Sequence, residues 1–182
     1  MVPPALALTQ ADGPDAADLT AAAFTAEEFR RTLGRFATGV TLVTAADEDG
    51  PIGLLVNSFT SVSLEPPLVA IFPSRTSFTW ARMRGRGAFG VNVLAAEHAA
   101  YVRRAAQPDA DRFAGLDYAL RDSGVPYIRS AVAFLDCQIV SEQPAGDHSI
   151  VLARVRELLA DEGGEPLVFR DGSLGTFTRW EE

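Results

Sequence analysis

The chain has 182 residues, 47% of them apolar, enough for one domain with a real core and unlike a disordered segment. A formal net charge of −8 argues against a nucleic-acid partner, which is held by an excess of lysine and arginine. Cys137 is the single cysteine and the two histidines lie far apart, so an intrachain disulfide is excluded and a metal site has little to build on.

Residues 1–23 are dominated by proline, glycine, alanine and aspartate and are expected to form a flexible N-terminal arm, with residues 24–182 as a single domain. That arm lacks the basic start and long apolar core of a signal peptide. No apolar run reaches the roughly 18 residues of a membrane span, and the lack of a possible intrachain disulfide makes a reducing cytoplasm the expected location.

Thr25-Ala26-Glu27-Glu28 is a capping box. Phe29, Leu33 and Phe36 follow at helical spacing, so a short amphipathic helix laid on the core is predicted, stopped by Thr38-Gly39. Residues 40–56 read as a hairpin of two apolar strands around Asp47-Glu48-Asp49-Gly50. Asn57, Ser58, Thr60, Ser61 and Ser63 then make a polar loop, and Pro66-Pro67 forbids a helix there. Leu68 to Phe72 is a third strand. The segment Pro73-Ser74-Arg75-Thr76-Ser77 sets an arginine among three hydroxyls, just ahead of a short helix that begins near Phe78.

Two strands that each end in a polar loop can hold a flat, partly polar ligand with a charged tail. The first loop would meet ring heteroatoms, and the second, with Arg75 and free helix amides, would take a phosphate. The plainer reading is also open: serine-rich loops are common turn material, and an arginine beside a helix start is commonly a solvated charge.

Ala88 to Leu94 reads as a strand, Glu97 to Ala106 as a helix, and Asp111 to Pro126 as irregular. Ala131 to Ser141 alternates as a strand, with Leu135, Cys137 and Ile139 on one face and Phe134, Asp136 and Gln138 on the other. Cys137 is expected to pack as a small apolar residue. After a loop at Pro144 to Asp147 come strands at His148 to Leu159 and Pro166 to Phe169, then a closing turn at Arg170 to Ser173. Six or seven strands joined mostly by hairpins predict a mainly β protein, a mostly antiparallel barrel with peripheral helices. No dinucleotide fingerprint, P-loop, nucleophile elbow or zinc motif is present.

In order along the chain stand NSFTSVS, LEPPLV, SRTS, FGVNVL, DRFAG, CQIV and AGDH. Together these motifs resemble the flavin reductase family with the FMN-binding split-barrel fold. The resemblance implies a homodimer that binds FMN or FAD, reduces it with NADH or NADPH, and supplies it to a partner flavin-dependent monooxygenase. It implies that Val56, Asn57 and Ser58 line the ring edge and that Thr60 and Ser61 lie around the ring and ribityl chain. Ser74, Arg75 and Ser77 would hold the phosphate, while Phe89, Asn92 and Phe113 are further candidates near the flavin or else core residues. His148, in the GDH match, is the candidate catalytic residue near the nicotinamide, or else a tie between a strand end and a loop. Leu55 and Leu174 depart from the family pattern, which often has threonine and an aromatic there. Two other readings stay open: a split-barrel flavoprotein that retains FMN and reduces another acceptor, and a non-enzymatic flavin-binding protein.

Overall fold

The computed structural model describes residues 23–161 and 164–180, so the expected N-terminal arm lies outside the described residues except for Ala23. Helix α1 spans Ala26–Leu33, and Thr25 closes the capping box: Glu28 N–H donates to Thr25 Oγ1 at 3.1 Å and Thr25 N–H to Glu28 Oε2 at 2.8 Å. The helix ends earlier than its apolar spacing suggests. Gly34 is its C-cap, so Phe36 lies beyond it in the link to β1 (Thr38–Gly39).

The helix is not laid on the core. It has no buried residue, and Phe29 and Leu33 are 50% and 56% exposed.

The hairpin of β2 (Thr41–Asp47) and β3 (Gly50–Val56) forms where expected, with Thr41 opposite Val56 and Asp47 opposite Gly50. The expected polar loop is shorter than its composition implies. Asn57 to Phe59 make the bend, and Thr60–Leu64 is β4, an edge strand paired with β5 (Pro67–Ile71). Its side chains are polar or exposed on both faces, so neither face shows the alternation of a half-buried strand.

Helix α2 (Phe78–Arg84) follows, then β6 (Ala88–Val93), a 3₁₀ turn (Ala96–His98) and α3 (Ala99–Ala105). The stretch expected to be irregular holds a small hairpin, β7 (Tyr118–Leu120) and β8 (Pro126–Ile128). Two long strands, β9 (Ala133–Ala145) and β10 (His148–Ala160), are joined by the tight turn Gly146-Asp147. Strands β11 (Leu167–Arg170) and β12 (Ser173–Thr176) close the fold, the latter standing where only a turn is predicted.

Seven strands form one antiparallel sheet in the order β3-β2-β6-β9-β10-β5-β4. The sheet curls until Ile52 from β3 and Val69 and Ile71 from β5 share one core with Trp80, Met83 and Phe89. This is the barrel. A second core of Leu42, Leu94, Tyr101, Val102, Phe113 and Leu167 packs α3 and β11 against the outside. The β7–β8 hairpin covers the outer face of β6 and β9, where Gly90 is obligatory: a Cβ there would lie 2.6 Å from Thr44 Oγ1 and 2.7 Å from Phe134. No helix among the described residues is long and apolar enough to cross a membrane.

Candidate functional site

The two polar bends meet at one end of the barrel. Phe72 N–H, at the end of β5, donates to Ser58 Oγ at 3.1 Å, tying the bend after β3 to the start of the arginine loop. The β9–β10 turn clamps the same loop from the far side. Ser149 N–H donates to Pro73 O at 2.9 Å, Arg75 N–H donates to Asp147 O at 3.0 Å, and Ser74 and His148 form an isolated bridge. Three segments distant in sequence are therefore tied together, the β9–β10 turn to the arginine loop by main-chain bonds and the Asn57 bend by the short Ser58 side chain, which fixes their positions more tightly than long side chains could.

A cavity of about 420 Å³ lies between them, lined by Val56, Asn57, Ser58, Phe72, Ser74 and His148, with Ser77 at its edge. A larger cleft of about 810 Å³ shares Asn57, Ser58, Phe72 and His148 and runs under α1, where Phe29, Leu33 and Phe36 face it together with Thr38, Thr60 and Phe169. Both volumes lie within the roughly 300–1,000 Å³ of small-molecule pockets, and the apolar walls with a few polar groups suit a flat heteroaromatic ring. Thr38 Oγ1 is the buried side-chain polar atom without a hydrogen-bond partner among the described residues, and it belongs to a residue of this cleft wall.

The arginine loop is pre-arranged. Ser74 Oγ and Thr76 Oγ1 share a 2.9 Å hydrogen bond, and Ser77 Oγ caps α2 by accepting from Trp80 N–H at 3.1 Å. The Arg75 guanidinium reaches the β9–β10 turn, donating from Nη1 to Gly146 O at 3.2 Å, and stays exposed. The His148 ring is half-exposed and hydrogen-bonded through Nδ1 to Asp147 Oδ1 at 2.7 Å. That bond holds the Asp147 carboxyl below the usual carboxylate range.

Of the predicted site residues, Val56, Asn57, Ser58, Ser74, Ser77 and His148 line one cavity, and Thr60 joins the larger cleft. Arg75 lines a neighbouring cavity on the other side of Ser77, and Ser61 is exposed on β4. Three candidates do not reach the cleft. Phe89 is fully buried in the barrel core, edge-on to Trp80, and Phe113 belongs to the second core beside Tyr118.

Asn92 is fully buried. Its Nδ2 donates to Leu42 O and Thr44 Oγ1, each at 3.1 Å, while its Oδ1 accepts from Ile128 N–H at 2.8 Å, so the amide joins β6 to β2 and β8. Cys137 packs as expected in the barrel core, and burial pushes its thiol up to about 12.

The residues missed from sequence are Phe72, which lines both cavities, and Phe29, Leu33, Phe36, Thr38 and Phe169 in the large cleft. The available signal was the apolar stripe of α1, read there as core-facing. Leu55 and Leu174 line a further apolar cavity of about 340 Å³ with Val40, Val102 and Phe169, next to Asn57.

A family model described as flavin reductase like domain matches residues 33–178. The chain is 45% identical over 163 residues to a flavin reductase of Pseudomonas putida, an alignment covering 89% of this chain and 96% of that protein. Among solved structures it resembles nitrilotriacetate monooxygenase component B from Mycobacterium thermoresistibile, with TM-score 0.79 and 33% identity over 86% of this chain and 92% of the other. It also resembles the NADH:FAD oxidoreductase of Streptomyces globisporus, with TM-score 0.77 and 36% identity over 84% and 93% of the two chains. The chain belongs to the flavin reductase like domain family.

Proposed function

We propose, from that membership and from the cleft, that the protein is an NAD(P)H:flavin oxidoreductase. It reduces FMN or FAD by hydride transfer and supplies the reduced flavin to a partner monooxygenase. The observation that carries this reading is the junction of the two polar bends with the His148 turn around one cavity. The relative named as a monooxygenase component supports the partner, and the one named NADH:FAD oxidoreductase supports NADH as donor.

When bound, the flavin supplies the hydride-accepting chemistry, and the protein supplies position and electrostatics. In this reading Asn57 and Ser58 hold the polar edge of the ring, with the carboxamide of Asn57 and the main chain of the bend as donors. Phe72 and Val56 give the apolar wall, and Thr60 and Ser61 flank the ribityl chain. Ser74, Arg75 and Ser77 hold the phosphate. His148, fixed by Asp147, orders the nicotinamide nucleotide rather than acting as an obligatory acid. The cleft wall of Phe29, Leu33 and Phe36, 50%, 56% and 75% exposed in the single chain, supports a homodimer that covers it. Cytoplasmic location belongs to the same reading.

Steady-state oxidation of NADH and of NADPH with FMN, FAD and riboflavin in turn is the test. Colourless protein that turns over added flavin with NADH is expected. Flavin bound without NAD(P)H oxidation, or tightly retained FMN that passes electrons only to another acceptor, overturns the reading. In the same assay His148→Ala is expected to raise the KM for NADH about fivefold, the worth of one hydrogen bond, with flavin KM unchanged. Unchanged constants for both nicotinamide nucleotides remove that role.

A further inference from the structure

Beyond Ser77, on the side away from the Asn57 bend, lies a separate cavity of about 410 Å³. We infer that it is the subsite for the adenosine diphosphate end of FAD, with Arg84 and Glu142 as the residues that distinguish FAD from FMN. The inference rests on the flavin reading of the neighbouring cleft, and four observations carry it.

The first is continuity. Ser77 lines both cavities and Arg75 lines this one, so a diphosphate whose inner phosphate sits at the arginine loop has its outer phosphate at this cavity's mouth. The second is charge. Arg75 and Arg84 both face the cavity, and neither has a carboxylate within ion-pair reach among the described residues. Two unpaired guanidiniums on one cavity of a chain with net charge −8 form a local anion site rather than part of the general surface.

The third observation is the carboxylate. Glu142, half-buried on β9, accepts from the Trp80 indole N–H at 3.1 Å through Oε1, which fixes its orientation and leaves Oε2 for a ligand. A fixed carboxylate of this kind accepts hydrogen bonds from a ribose diol. It also disfavours a phosphate on that ribose. The fourth is the wall: Ala81 and Pro144 give an apolar surface suited to a purine face.

NADH carries the same adenosine diphosphate, and the experiment separates the two sources. Arg84 is exposed at the end of α2 with no side-chain partner among the described residues, so Arg84→Ala is expected to fold. Flavin binding is read by fluorescence quenching, without turnover, for wild type and variant, and AMP is used as a competitor.

The expected result is a Kd for FAD raised about 10- to 100-fold by the variant, as for one charge-assisted hydrogen bond, with FMN within twofold. AMP, which carries the adenosine and the outer phosphate only, is expected to displace FAD from wild type but not FMN. Equal shifts for both flavins, or no shift, overturn the assignment. So does a raised KM for NADH in FMN-supported turnover of Arg84→Ala, with AMP competing against NADH, which gives the cavity to the nicotinamide nucleotide. If wild type binds neither flavin, the flavin reading itself has failed, and the subsite with it.

Discussion

Replacing Arg75 by alanine is expected to raise the KM for FMN and for FAD about 10- to 100-fold and to leave riboflavin, which has no phosphate, within twofold. The magnitude is that of charge-assisted hydrogen bonds to a phosphate at a partly exposed site. The reason to expect it here is the way the loop is held. Its backbone is pinned by Arg75 N–H to Asp147 O, its hydroxyls are pre-aligned by the Ser74–Thr76 bond, and the guanidinium is steadied by Gly146 O. Little ordering is left to be done on binding.

Arg75→Lys restores only part of the loss, since an ammonium lacks the planar fork. The effect shrinks with added salt because the side chain is exposed. A parallel rise for riboflavin would mean that Arg75 shapes the loop, not that it binds the phosphate. No rise for any flavin would put the phosphate elsewhere. Together with Arg84→Ala, the variant separates the inner from the outer phosphate: one is expected to affect both flavins, the other only FAD.

What could be read from the sequence was whatever is encoded over a few neighbouring residues. The capping box at Thr25 and Glu28, the Asp47–Gly50 turn and the two bends are local, and each stands where the residue types put it. Pairing between distant segments was less legible. Strand β4 is polar or exposed on both faces, so Thr60–Leu64 looks like loop until β5 is seen beside it. Strand β6 is buried on both faces, Phe89 and Val91 in the barrel core and Gly90 and Asn92 beneath the β7–β8 hairpin.

Nothing in Ala88–Val93 itself says which face meets a ligand, which is why the sequence leaves Phe89 and Asn92 open between the flavin and the core. For α1 the failure ran the other way. Its apolar stripe reads as a face laid on the core, but in the single chain that face lines a cleft and none of its residues is buried.

Arg156→Met is expected to destabilise the fold by about 3 kcal/mol, more than Asp136→Asn, although both remove the same ion pair. Arg156 sits at the bulge between Val155 and Glu157, where β10 slips register against β9, and the extra residue aims its guanidinium at Asp136. Arg156 Nε donates to Asp136 Oδ1 at 3.0 Å, with a second short contact from Nη2, and Ser123 Oγ donates to Oδ2. The pair is unequally buried: the Asp136 side chain is 4% exposed and that of Arg156 is 38%.

Removing the aspartate charge releases an arginine that can turn to water, at about 1 kcal/mol. Removing the arginine leaves a carboxylate under the β7–β8 hairpin with one hydroxyl for company, and the cost of an uncompensated buried charge is several times larger. Urea unfolding of the two variants checks this through their midpoints at unchanged m. Equal shifts, or a larger one for Asp136→Asn, would mean that water reaches the carboxylate and that the hairpin is a looser cover than its contacts imply. The same hairpin seats Pro126 O on Thr44 Oγ1 and Ile128 N–H on Asn92 Oδ1. Loss of stability from Arg156→Met is therefore expected to reach β2, the strand that carries β3 and the Asn57 bend at its end.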